Sequence, residues 1–312
     1  MKKKIMFYGN CQLGVLSRML EIHTPQFNEN YEILKAADYD LATIWIEEVG
    51  VVAPFMYVPT TEHGSATEKT IKSLERIIDD ADIIIFQNFN EADDRRTELT
   101  TDYIYDKYHS TKQMICIPSF WFSGYLSESH KNNLQMPYLF IWLLEKGLNN
   151  EQILDWLKNE NDPKIGALID YNVNICLEEL KQREVSECSK YKCFISILDI
   201  VDNYKENIIC YNMSHPSEYY FKALYQKLIC VLDETLLCNI DEANIIAPGP
   251  DFFPFPLDLC WFRENFKDLN VSREKYGTFI DINFVNTQVD LVKMLNTEDL
   301  NNLQLKLNFL KA

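Results

Sequence analysis

The chain has 312 residues, 47% of them apolar, and its 47 acidic side chains outnumber 30 lysines and arginines to give a formal net charge of −17. That length supports one large core or two modest ones. The charge argues against general nucleic-acid binding, which needs clustered Lys and Arg, and no apolar run is long enough for a membrane-spanning helix.

Met1-Lys2-Lys3-Lys4 has the basic character of a signal start, but the apolar segment behind it ends at Gly9-Asn10, too short for a signal core. A cytoplasmic location is the expectation. The nine cysteines contain no Cys-x-x-Cys pair, which fits reduced thiols better than a disulfide frame or a zinc site, and no metal is expected.

Residues 1–125 alternate strand and helix patterns. Lys4–Tyr8 reads as a strand and Leu13–Ile22 as a helix; Tyr31–Lys35 and Thr43–Ile46 are short strand candidates. Ala66–Asp79 carries Ile71, Leu74, Ile77 and Ile78 at helical spacing. Asp82–Phe86 and Gln113–Ile117 are continuous apolar runs after their first residue, as strands buried on both faces are, and Thr100–Tyr108 between them is helical. This is the βαβ rhythm of a parallel sheet. From 126 to 205 the pattern turns helical, with Leu134–Leu144, a capped segment from Asn150, and a long stretch opened by Asp162-Pro163; it reads as an insertion or cap. Residues 206–312 read as a return to the sheet near Ile208 followed by helices, the last from Thr297 as N-cap with Leu300, Leu303, Leu307 and Leu310 on one face. Four prolines within 245–260 predict an irregular packed loop. The expected fold class is α/β, a parallel sheet flanked by helices, the whole forming one structural domain.

Two strand-to-helix joins carry reactive residues. Cys11, in Gly9-Asn10-Cys11-Gln12, sits where first-turn N–H groups and the positive helix end favour thiolate; the alternative is a buried, inert thiol. His215, in Asn212-Met213-Ser214-His215-Pro216-Ser217, lies on a second such join, and Asn212 is placed to fix its tautomer. Nucleophile, base and orienting group would be Cys11, His215 and Asn212. The Gln12 N–H, the Gln12 side chain and Asn88, in the turn Gln87-Asn88-Phe89-Asn90, are candidate oxyanion donors. A phosphate-bearing ligand would need local positive charge, for which Lys2–Lys4, Arg18, Arg95, Arg96 and Lys112 are the candidates.

Tyr8-Gly9-Asn10-Cys11-Gln12, Pro118-Ser119-Phe120-Trp121-Phe122-Ser123-Gly124-Tyr125 and Ser214-His215-Pro216-Ser217 together resemble the WcbI-like polysaccharide biosynthesis family. The resemblance implies a coenzyme A-binding acetyltransferase acting on capsular or related surface sugars, with acetyl-coenzyme A as donor, a sugar acceptor, Cys11 as nucleophile and His215 as base. Ser119 and Tyr125 enter the oxyanion and substrate-binding set through this resemblance alone, beside Asn10, Gln12, Gln87, Asn88 and Ser214, and of the basic candidates Arg18, Arg95 and Arg96 are the ones expected at the cofactor. A more distant likeness of layout is to the SGNH or GDSL hydrolases, with Cys11 for their serine and Asn212 in place of their aspartate; it implies a flavodoxin-like sheet. Two other readings stand beside the transferase: a thiol esterase or deacetylase with water as acceptor, and a non-catalytic glycan- or nucleotide-binding protein.

Overall fold

Strands that are apolar at every position must be covered on both faces, and the central ones here are. The computed structural model describes residues 2–9, 11–24, 26–35, 43–46, 50–54, 75–88, 97, 100–122, 124, 129–130, 134–212, 215–239 and 280–311. The first elements are β1 (Lys3–Tyr8), α1 (Cys11–His23), α2 (Phe27–Asn30) and β2 (Tyr31–Lys35). A hairpin, β3 (Thr43–Ile46) and β4 (Gly50–Pro54), precedes β5 (Ile83–Phe86), α3 (Thr101–Tyr108) and β6 (Gln113–Cys116). Four of these strands form an all-parallel sheet in the order β2-β1-β5-β6, so the fold is α/β with helices flanking a parallel sheet. Of the helix expected over Ala66–Asp79, residues 75–80 are described and helical.

Met6, Tyr8, Ile84, Phe86, Met114 and Cys116 bury one face of the sheet against Ile78, Ile104, Tyr105, Tyr108 and Tyr191. The alternate residues Ile5, Phe7, Ile83, Ile85 and Ile115 are as deeply buried. This period-2 placement of apolar residues on both sides explains why the strands read as unbroken runs.

The chain divides into two compact units, each assembled from three separate stretches: 1–120, 181–200 and 220–248 in the first, 121–180, 201–219 and 249–312 in the second. The parallel sheet belongs to the first. The second unit holds most of the helical expectation. It contains the short pair β7 (Ser129–His130) and β8 (Leu134–Gln135), then α4 (Pro137–Glu145) and α5 (Asn150–Asn159). The helix expected from Leu134 begins three residues later because Pro137 occupies the first turn; Met136 before it is left-handed at φ 47°. A reciprocal Asn149–Gln152 capping box starts α5. The 28-residue α6 (Pro163–Lys190) follows, then α7 (Leu198–Asp202).

Cys210–Asn212, read as a return to the parallel sheet, is a short strand, β9, that pairs antiparallel with β10 (His215–Pro216) among the described residues. The next partner of β6 is instead Phe194, bridged in parallel to Cys116, with Cys116 N–H donating to the Cys193 carbonyl at 2.9 Å. Helix α8 (Glu218–Leu232) begins two residues after Pro216. The final helices are α9 (Ile282–Lys293), packed on α4 and α5, and α10 (Thr297–Lys311), packed on α4. The cap of α10 is Asn296, whose side chain accepts from Asp299 N–H while the Asp299 carboxylate accepts from Asn296 N–H, and not Thr297. The proline-rich stretch 245–260 lies outside the described residues.

Candidate active site at the carboxyl edge of the sheet

In an open parallel sheet, ligands gather beyond the carboxyl ends of the strands where strand order reverses. Here that point falls between β1 and β5, because the chain steps from β1 to β2 on one side and resumes with β5 on the other. Tyr8 pairs with Phe86, and Gln87 N–H donates to the Tyr8 carbonyl at 3.0 Å. Gly9 ends β1 at this point, and Cys11 is the first residue of α1. The thirteen-residue helix directs its first-turn N–H groups toward the same edge.

Gly9 is required by crowding. A Cβ there would collide with Leu13 Cδ1 and stand 2.8 Å from Gln87 Oε1. Gln12, next after Cys11, is 2% exposed, and its amide is committed. Its Nε2 donates to the Phe120 carbonyl at 3.1 Å, and its Oε1 accepts from Phe120 N–H at 3.0 Å and from Gln87 Nε2 at 2.9 Å. The Phe120 ring packs edge-on against Tyr220 with centroids 4.6 Å apart. The side chains of Gln12 and Gln87, both expected in the oxyanion and substrate-binding set, are thus brought together as partners of one another.

Asn88 faces a second network. Its Nδ2 donates to Glu187 Oε1 at 3.2 Å, and its Oδ1 accepts from Thr101 Oγ1 and Tyr191 OH, each at 3.2 Å. The single Tyr191 hydroxyl proton is shared with Asp102 Oδ1, the nearer acceptor at 2.9 Å, and Asp102 pairs with Lys190. Glu187 is 3% exposed and its Oε2 has no hydrogen-bond partner among the described residues. Burial raises its pKa, with the Asn88 hydrogen bond and the Arg183 cation opposing and Glu184 adding to the rise. Burial likewise pushes the Cys116 thiol far up, reinforced by Glu187 and Cys193. Neither Glu187 nor this network was anticipated. A signal existed in the spacing: Glu184 and Glu187 continue the buried stripe Leu177, Leu180 and on to Tyr191 along α6 and the residue after it.

The expected basic patch divides. Lys4 pairs with Asp80 at 2.7 Å, and Lys112 Nζ donates to the Asp79 carbonyl at 2.8 Å. Both lie at the amino ends of the strands, about 15–20 Å from the carboxyl edge for strands of this length, so neither serves a ligand at Cys11. Arg18 is exposed on α1, about 10 Å along its axis from Cys11. Ser119 is half-buried beside Phe120. His215 and Asn212 sit on β10 and β9 and are register partners in that pair. The side chains of Cys11, Asn212 and His215, and the residues Asn10, Arg95, Arg96, Tyr125 and Ser214, lie outside what is described. Among the described residues no cluster of His, Cys, Asp and Glu is arranged for a metal, and no helix is long and apolar enough to cross a membrane.

The sheet and its flanking helices define an α/β protein in which a cysteine opens the helix at the switch point of a parallel sheet. No family model and no curated protein matches the chain. Its fold is that of WcbI, described as a novel polysaccharide biosynthesis enzyme, whose solved structure is of the native protein without a disulfide bond between coenzyme A and one of its cysteines. The TM-score is 0.68 at 17% identity, over 100% of this chain and 97% of that one.

Proposed function

We propose that the protein is a coenzyme A-dependent acetyltransferase that modifies a sugar hydroxyl during the biosynthesis of a capsular or other surface polysaccharide. The observation that carries the reading is the position of Cys11, first residue of α1 at the switch point of the sheet. A fold shared along nearly the whole of WcbI, a protein described together with coenzyme A and a cysteine, supports coupling that position to coenzyme A.

In this reading the first-turn N–H groups of α1 stabilise negative charge, whether a Cys11 thiolate or a developing oxyanion. For an acidic chain they also offer phosphate a site that needs no surplus of lysine, with Arg18 on the same helix. His215 accepts the proton of the Cys11 thiol or of the acceptor hydroxyl, and Asn212 orients it. On the direct route the acetyl carbon–sulfur bond of the donor breaks as the ester bond to the sugar oxygen forms. On the other it breaks as a Cys11 thioester forms, and that thioester then breaks as the sugar ester forms, with His215 passing the hydroxyl proton back to the Cys11 sulfur. The proton held by His215 leaves with the coenzyme A sulfur. An acetylated Cys11 peptide, found by mass spectrometry after donor is added without acceptor, identifies the thioester route.

The primary test is thermal unfolding of the wild type and Cys11→Ala with and without coenzyme A. Ligand at about 100 times its dissociation constant stabilises by roughly 2.7 kcal/mol, a rise in Tm of about 4 °C for a chain of this size. Both proteins are expected to show it, with acetyl transfer lost in the variant on the thioester route and retained in part on the direct one. No shift at millimolar coenzyme A overturns the transferase reading.

A further inference from the structure

Asn10 and Cys11 are bracketed by two residues, Gly9 and Gln12, and both touch the same side chain. Gln87 Oε1 stands over the Gly9 Cα, so close that a methyl group there would lie 2.8 Å from it, while Gln87 Nε2 donates to Gln12 Oε1 at 2.9 Å. The orientation of these amides is dictated by their partners. Phe120 N–H only donates and the Phe120 carbonyl only accepts, so Gln12 must turn Oε1 to the first and Nε2 to the second. With Oε1 of Gln12 fixed, Gln87 must present its NH2 group to it, and its own oxygen falls toward Gly9. Gln87 is 1% exposed, so water does not compete for these bonds.

We infer that Gln12 and Gln87 form an amide clamp that sets the position of the Cys11 turn, with Gln87 a positioning residue acting through Gly9 and Gln12. The inference rests on Cys11 being the reacting thiol. The clamp holds the start of α1 to two other points of the carboxyl edge, the end of β5 through Gln87 and the segment after β6 through Phe120. A thiol owes a lowered pKa to N–H groups at fixed distance, and a turn free to shift forfeits that stabilisation. The clamp therefore tunes thiolate formation at Cys11 without supplying any charge.

The test is peptide-resolved alkylation of the full chain by iodoacetamide between about pH 5 and pH 9, with exposed Cys188 as the internal reference. Wild-type Cys11 is expected to titrate below Cys188. Gln87→Met keeps the length of the side chain but loses the donor, and is expected to slow Cys11 alkylation about tenfold at neutral pH while Cys188 is unchanged. Gln87→Glu keeps the shape, and only its protonated acid can donate to Gln12 Oε1. Its Cys11 rate, taken relative to the wild type, is expected to fall as pH rises. This second variant serves if the first does not fold. Variants whose Cys11 profile matches the wild type overturn the clamp. A wild-type Cys11 that titrates like Cys188 removes the reading of Cys11 and the clamp with it. A failure of coenzyme A to bind leaves the alkylation result standing, so the two ideas fail separately.

Discussion

Glu187 carries a carboxyl where one oxygen is bonded to Asn88 and the other is buried without a partner among the described residues. Its pKa is raised by burial above the ordinary carboxylate value. The sign of the consequence follows from proton linkage. Below the unfolded-state pKa both states are protonated and the group costs the fold nothing. As pH rises the unfolded chain ionises first, and the fold is progressively destabilised until pH passes the folded-state value. Glu187→Gln keeps the acceptor for Asn88 and removes the ionisation. The melting temperature of the variant should exceed that of the wild type at about pH 8, with the difference closing toward about pH 4; a variant less stable at the higher pH would mean the charge is used. At Gly9 the expected effect is steric. Gly9→Ala forces a methyl group against Leu13 and Gln87 and should cost about 1–3 kcal/mol of stability in a denaturant titration. The thiol at the helix start was readable because an apolar run, a glycine and the start of an amphipathic stretch adjoin it in sequence. The commitment of the Gln12 amide was not, because its partner is the backbone of Phe120, and a backbone partner leaves no mark on residue identity.

Elements were legible where their signals are local. Tyr31–Lys35 and Thr43–Ile46 form strands over the ranges their composition predicts, and Thr100 caps α3 by accepting from Tyr103 N–H at 3.3 Å. Two differences have separate causes, one local and one not. The helix expected from Leu134 ignored the restriction that Pro137 places on Met136. Ile208–Tyr211 has the apolar character of a sheet strand, yet pairing depends on partners that composition does not name, and among the described residues the strand Cys210–Asn212 pairs with His215–Pro216. The capping prediction is quantitative. Thr100→Ala removes the bond to Tyr103 at the turn that presents Thr101 and Asp102 to the Asn88 network. It should lower stability by about 1 kcal/mol, a fall of about 2–4 °C in Tm for a domain of comparable size. A larger loss would show that the cap and the network are coupled.

For the whole molecule, a net charge of −17 opposes an anionic ligand at long range, and salt screens that opposition over about 8–10 Å. Coenzyme A affinity measured in the unfolding experiment should therefore strengthen, or fall little, as ionic strength rises, in contrast to a ligand drawn in by surplus lysines. A steep loss of affinity with salt would instead indicate that cationic side chains carry the binding. The α/β class was legible because parallel strands buried on both faces announce themselves as apolar runs. The division into two units was not, since each is gathered from three stretches separated along the chain.

The bridge from Cys116 to Phe194 has a consequence for synthesis. While the chain emerges from the ribosome, Gln113–Cys116 is complete long before its outer neighbour, and everything from residue 121 to 180 must pass first. At about 5–20 residues per second, the apolar Met114, Ile115 and Cys116 spend several seconds as an open edge of a sheet, the arrangement most prone to pair with another chain. Nascent chains halted in that interval would be the ones that depend on chaperones, and the arrival of residues 193–195 closes the window.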